Sequence, residues 1–278
     1  MYKQKLLLYL LLIVMVSGII APIQVSHAAS VGSVLSALTA PTATHQEGGG
    51  IFNALFDLVF KKILGPILNI FDGKSTPSSG SSQPNPVKKG SLIGKVVVVD
   101  PGHGGSNPGA IANNNREADN NLAVGLKLRD KLLQAGAKVI MTRDSDRTVA
   151  PEGSSLTEEL KARVNIAEAN NADIFVSVHS NSNPNTAVAG AMTFYAQSAA
   201  PQLAEKVQSS LINETQAVNK GISTANFYVL RNSQMPSILV EMGFVSNADE
   251  ATRLGSDVYR DKIAQGIFNG ISSYFQNK

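Results

Sequence analysis

The chain contains no cysteine. That excludes disulfides, thiolate zinc sites, iron–sulfur clusters and a cysteine nucleophile together. Histidine is scarce as well: His27, His45, His103 and His179 are the four. Any catalytic imidazole, or any imidazole metal ligand, comes from that set. A basic surplus is missing where it would matter. The 278 residues carry a net charge of +3, yet residues 92–278 hold 17 Lys and Arg against 18 Asp and Glu. The surplus lies in the first third, which argues for no nucleic-acid partner. What is present is 43% hydrophobic residues against 16% charged, enough for a sizeable core in one or two domains and too apolar for wholesale disorder.

The first third reads as targeting and organisation. Lys3 and Lys5 precede an apolar run from Leu6 to Val16, and Ser26-His27-Ala28 supplies a small-x-small cleavage pattern. This is the anatomy of a secretory signal peptide over residues 1–28. Extended to about Ile23, the same stretch approaches the length of an uncleaved membrane anchor. Either reading exports the rest of the chain to an extracytoplasmic place. Residues 29–91 read as linkers around an apolar segment at 51–71. In that segment Asn53, Asp57 and Lys61 recur every fourth residue and mark one narrow polar face of a helix. Its wide apolar face needs a partner: a membrane, a protein, or the main domain. His45 falls in a linker and reads as an incidental solvated side chain.

Residues 92–278 read as one α/β domain. Lys95 to Asp100 is β-branched and predicts a strand buried on both faces. Ala118 to Gln134 predicts a helix with Leu122, Leu126 and Leu133 on one face, closed by Gly136. A strand over Lys138–Thr142, a helix over Leu156–Ala169 and a strand over Asp173–Val178 follow. Gly190–Tyr195, Phe227–Leu230 and Ser237–Val240 predict short strands, with helices at about 200–214 and 256–275. The alternation predicts a mostly parallel sheet with helices on both faces, in which the short strands near 190–195 and 227–230 are the ones open to antiparallel pairing.

Polar residues collect at the strand ends. His103 follows the first strand in Asp100-Pro101-Gly102-His103-Gly104-Gly105, His179 closes the third, and Glu241 closes the last. In an open parallel sheet the carboxyl ends of strands border one crevice, so these three should converge. Two histidines and carboxylates, without cysteine, suit a catalytic zinc site of three N/O ligands with a position left for water. Glu117 is able to supply the third ligand from the start of the first helix, and Asp119 is an equal rival there. A further carboxylate must then handle the proton, and Glu241 is the candidate. Each residue also has a plainer reading. Glu117 could serve the helix N-terminus, His179 could be a bonded core histidine, and Glu241 a structural acid. A phosphate-cradling turn at Gly102–Gly105 lacks the Lys-Ser/Thr ending of a P-loop.

Three segments together resemble the zinc-dependent N-acetylmuramoyl-L-alanine amidases of bacterial cell walls. They are Val98 to Gly105, Ser177 to Asn181, and Pro236 to Asn247, with Thr142-Arg143 and Arg163 between them. The likeness covers about residues 93–275. It implies a mixed sheet of about six strands, one Zn2+ held by His103, Glu117 and His179, and Glu241 as catalytic acid/base. It also implies that peptidoglycan is the substrate, cut by a zinc-activated water at the amide joining N-acetylmuramic acid to L-alanine of the stem peptide. Asn181 is then a residue that contacts substrate or orients a neighbour of the metal. The resemblance sets the place of action in the cell wall or at the outer face of the membrane. Two other readings are a zinc peptidase acting within the stem peptide and a non-catalytic peptidoglycan-binding module. Neither a long inhibitory insertion between Arg143 and Asp173 nor a cell-wall-binding repeat is evident.

Overall fold

The computed structural model describes residues 91–276. The export signal, the linkers and the apolar segment at 51–71 lie outside the described residues. No helix among the described residues is long and apolar enough to cross a membrane.

The four consecutive valines of the first strand explain the architecture around them. β1 (Val96–Pro101) sends Val97 and Val99 to one side and Val98 to the other, and all three are fully buried. A strand with apolar side chains on both faces needs cover on both faces. It pairs in parallel with β4 (Lys138–Met141) on one side and β5 (Ile174–Asn181) on the other. Beyond β5 lies β8 (Ser237–Phe244), also parallel. β6 (Ala191–Tyr195) runs antiparallel to β8, and β7 (Asn219–Thr224) pairs in parallel with β6 at the edge. The result is the expected six-stranded, mostly parallel mixed sheet, in the order β4-β1-β5-β8-β6-β7.

One face is covered by three long helices: α1 (Glu117–Gln134), α3 (Gln202–Thr215) and α6 (Asp257–Gln276). Val97, Val99, Ile174, Val176, Ile238 and Val240 meet them in the larger core. α6 crosses α3 closely because Gly266 and Gly270 present no side chain to the backbone of Leu211 and Val207. The other face has less cover: α2 (Leu156–Ala169) and the short α4 (Tyr228–Arg231), over Val98, Phe175, Phe194 and Leu239. α2 starts at a capping box, in which Ser155 accepts from the Glu158 N–H and Glu158 accepts from the Ser155 N–H. α5 (Ala248–Leu254) and a two-residue hairpin pair, β2 (Ile111–Ala112) with β3 (Asn115–Arg116), complete the elements.

Three expectations are corrected. Phe227–Leu230 is not a strand: Tyr228–Arg231 forms one helical turn that lays Val229 and Leu230 into the smaller core. The sixth strand is instead Asn219–Thr224, a polar, half-exposed edge strand whose composition carries no apolar alternation. The buried stripe of α1 is Val124, Leu128 and Leu132, while Leu133 is half exposed. The i, i+4, i+8 spacing of those three puts them on one side of the helix, about 140° round from Leu122, Leu126 and Leu133. Finally, β5 and β8 continue through His179 and Glu241, so these residues sit within the strands near their ends rather than beyond them.

Candidate metal centre

Side-chain parity in the strands assembles the centre. Residues 97 and 99 of β1, 174, 176 and 178 of β5, and 238 and 240 of β8 face the three long helices. The alternate positions, Asp100, Ser177, His179, Leu239 and Glu241, therefore face the side that α2 and α4 cover only in part. Parallel register aligns them: Asp100 pairs with Ser177, Ser177 with Leu239, and His179 with Glu241. The cleft thus opens on one face of the sheet near the carboxyl ends of its strands. It is lined by His103, Glu117, His179, Asn181 and Glu241 on the polar side, and by Leu156, Leu160, Phe227, Tyr228 and Leu239 on the apolar side.

His103, Glu117 and His179 converge. Oε1 of Glu117 lies 3.2 Å from Nε2 of His103 and 2.9 Å from Nδ1 of His179. Its other oxygen, Oε2, accepts a 2.9 Å hydrogen bond from the Ala110 N–H. The two imidazoles meet edge to face with centroids 4.9 Å apart. Two glycines make this crowding feasible. A Cβ at Gly102 would run into the His179 ring, and one at Gly109 would lie 2.6 Å from Oε2 of Glu117. Asp119, the rival ligand, points away and pairs with Arg116 at 2.8 Å.

The donor set fits zinc. Ligand atoms of the three residues all lie within 4.8 Å of one another. A tetrahedral zinc with N and O ligands at about 2.0–2.1 Å sets them about 3.4 Å apart, close to the separations around Oε1. The tautomer of His103 agrees. Its Nδ1 lies 3.0 Å from Oδ1 of Asn107, and that oxygen also accepts from the Gly109 N–H at 3.2 Å. Oδ1 is therefore an acceptor, Nδ1 carries the proton, and in the neutral ring Nε2 turns a lone pair toward a carboxylate. That contact is satisfied by a proton on Nε2 or by a metal cation held between the two atoms. Asn107 is a member of the centre that sequence reasoning missed. Its only signal is a polar side chain four residues after His103, inside a Gly-rich loop.

Burial and neighbours set the protonation states. Burial works against ionisation of Glu117, but the two imidazoles beside it outweigh that and hold its carboxyl far below the usual carboxylate range. Burial keeps the His179 imidazole neutral by lowering its pKa, against the opposing pull of Glu117. Glu241 goes the other way. Burial first, and the Glu117 charge second, raise it well above the ordinary glutamate value. Its Oε2 is buried and has no hydrogen-bond partner within the protein. An unpartnered buried carboxyl oxygen is costly and marks a group kept for something outside the fold.

Behind the centre is a buried polar layer. Asp100 accepts from Thr142 Oγ1 at 2.7 Å, Ser177 Oγ at 2.6 Å and Arg163 Nη1 at 2.7 Å. Burial opposes its ionisation, yet the Arg163 charge and these donors lower its pKa below the ordinary value. Arg163 also pairs with Glu159 at 2.7 Å. Asn181 lines the cleft, and its Oδ1 accepts from the Ser182 N–H at 2.7 Å.

Residues 97–273 match the family profile described as N-acetylmuramoyl-L-alanine amidase. The chain is 36% identical over 198 residues to the germination-specific N-acetylmuramoyl-L-alanine amidase of Bacillus subtilis (strain 168), covering 67% of this chain and 82% of that one. Among solved structures it is similar to the catalytic domain of the amidase CwlV from Bacillus (Paenibacillus) polymyxa var. colistinus, with 37% identity and a TM-score of 0.60 over 66% of this chain and 99% of that one. It is also similar to the CwlD amidase of Clostridioides difficile, solved in complex with the GerS lipoprotein, with 33% identity and a TM-score of 0.63 over 66% of this chain and all of that one (100%).

Proposed function

The chain belongs to the N-acetylmuramoyl-L-alanine amidase family and hydrolyses the peptidoglycan amide between N-acetylmuramic acid and L-alanine; on that premise we propose that it does so as a zinc enzyme, with Glu241 as the catalytic acid/base. His103 through Nε2, His179 through Nδ1 and Glu117 through Oε1 would hold the ion. Zinc bound there supplies a Lewis acid for the attacking water and the scissile carbonyl.

The remaining work falls to the chain's own residues. Glu241 takes a proton from the attacking water as the water oxygen bonds to the lactyl carbonyl carbon. It then delivers that proton to the alanine nitrogen as the C–N bond breaks. The products are a free muramic lactyl carboxylate and a free alanine amine. Burial and the absence of a partner at Oε2 suit this role, because the raised pKa makes the carboxylate basic enough to accept the proton. Asn107 holds His103 in the tautomer that directs Nε2 into the centre. Asn181 lines the cleft wall, from which it would contact the substrate or orient a neighbour of the metal. The apolar wall limits water around the developing charge.

The observation that carries this reading is the meeting of three ligand atoms beside a buried carboxyl whose Oε2 has no partner in the protein. The family's substrate lies in the cell wall, and the reading of residues 1–28 as an export signal brings the enzyme to it. The test is digestion of purified peptidoglycan by the zinc-loaded full chain, with product masses. Release of intact stem peptides beginning with free L-alanine supports the proposal. Fragments cut inside the stem would replace it with a peptidase, and binding without products with a wall-binding module.

A further inference from the structure

Arg143 is fully buried, and its side chain bonds to backbone carbonyls alone among the described residues. A buried cation without a carboxylate partner is costly, and an apolar side chain would fill the same space more cheaply. Burial, then the neighbouring Arg163 charge, push its pKa down to about 10, so it stays charged at neutral pH. The placement of its donors shows what the charge is for. Nε donates to Pro101 O at 2.9 Å, and Nη2 donates both to Gly102 O at 2.9 Å and to Ala118 O at 2.8 Å. Pro101 and Gly102 lead directly into His103. Ala118 directly follows Glu117. One planar guanidinium therefore ties together the two segments that carry two of the three proposed metal ligands.

Those segments need an external tie. The loop between them turns through left-handed backbone at His103 (φ 61°), Gly104, Gly105 and Gly109. Glycines leave such a loop underdetermined, and a histidine with positive φ persists only where its surroundings hold it. Arg163 adds one tie, from Nη2 to His103 O at 2.9 Å, but reaches only the first segment. Asn121 on α1 donates to Gly102 O at 3.2 Å and Arg116 donates to Gly105 O at 3.2 Å, but each crosses by that one bond from the Glu117 side, whereas Arg143 grips both segments from a third.

We propose that Arg143 is a positioning residue for the metal centre, setting the distance between His103 and Glu117 through the carbonyls on either side of them. The inference rests on the proposed metal reading of those two residues. A lysine at this place keeps the charge but loses the fork, so it cannot reach all four carbonyls that Arg143 binds, those of Pro101, Gly102, Ala118 and Ser145.

The test is zinc affinity, measured by competition with a chromophoric chelator on the full-length chain, its Arg143→Lys variant and its Leu211→Ala variant. Leu211 is fully buried on α3, which carries no ligand, so it reports general destabilisation. Arg143→Lys should fold and bind zinc about 10- to 100-fold more weakly, the range for residues that orient metal ligands. Leu211→Ala should bind within about twofold of the parent at comparable loss of thermal stability. Equal affinity of Arg143→Lys and parent, or equal weakening in both variants, would overturn the inference. An Arg143→Lys chain that does not fold would overturn it too, because the guanidinium would then serve the fold as a whole. A parent chain that binds no zinc would instead remove the metal reading itself.

Discussion

His179 and Glu241 stand opposite each other in register on neighbouring parallel strands, and both side chains emerge on the sheet face that α2 and α4 leave partly open. The strand pairing thus sets one metal-ligand candidate beside the proposed proton carrier. The carboxyl is rigidly placed because β8 is buried along its whole length. That pairing is the basis of the expectations below.

Glu241→Gln should keep zinc binding and lose hydrolysis by at least about 10²-fold, the lower end for a positioned acid/base. The assay is release of alanine amino groups from purified wall, run beside metal analysis. Full retained release would remove Glu241 from the reaction.

The same substitution should stabilise the metal-free protein at neutral pH. The pKa of Glu241 is raised in the native state above its ordinary 4.5, by burial and then by Glu117. Its favourable contribution is therefore complete below the unfolded-state value and is lost as pH rises through the native one. Urea midpoints of metal-free Glu241→Gln should exceed those of the parent at pH about 7 and lose that lead at pH about 4. A parent more stable than the variant at pH about 7 would contradict the direction of the shift.

His179→Ala should lose both zinc and activity, since two protein ligands hold the ion far less well than three. Unchanged zinc stoichiometry in the purified variant would reject His179 as a ligand. Chelation of the parent should abolish turnover, and added zinc should restore it.

Gly102→Ala should cost about 1–3 kcal/mol through overpacking, with loss of zinc, because the new methyl takes the space of the His179 ring. Calorimetry and metal analysis together check it. Stability falling while zinc binding persisted would mean that the ring moves aside without leaving the centre.

Asp100→Asn should cost about 3–5 kcal/mol at neutral pH by leaving buried Arg163 short of a partner. The pKa of Asp100 is lowered below its ordinary 3.8, the Arg163 charge and hydroxyl donors outweighing burial. Its contribution is therefore present above that value and lost as pH falls through the lower native one. The stability gap between parent and variant, followed by urea melts of metal-free protein, should hold at neutral pH and close in strong acid.

Much of the centre was legible because the residue inventory was small. With no cysteine and two histidines in the folded domain, the metal question fell on His103, His179 and nearby acids. On residue type and position alone Glu117 and Asp119 are equals; the family resemblance favours Glu117, and the fold sets the two apart. Both lie in the first turn of α1, but two positions along a helix differ by about 200°, and only Glu117 points inward. The helical turn at Tyr228–Arg231 was misread as a strand, since four apolar and aromatic residues fit either period. The edge strand Asn219–Thr224 escaped because its side chains are polar and its pairing is with a neighbour's backbone.

By itself the sequence determined composition and parity: which elements alternate, which faces are apolar, and that Ser177 and His179, like Leu239 and Glu241, share a face of their own strand. Period two is a local property of the chain, so it is written in the chain. Register is not local. That His179 aligns with Glu241 and that Arg143 spans the segments carrying His103 and Glu117 were decided by tertiary structure. Each depends on hydrogen bonds between segments far apart in sequence, whose relative placement comes from packing the whole sheet between its helices.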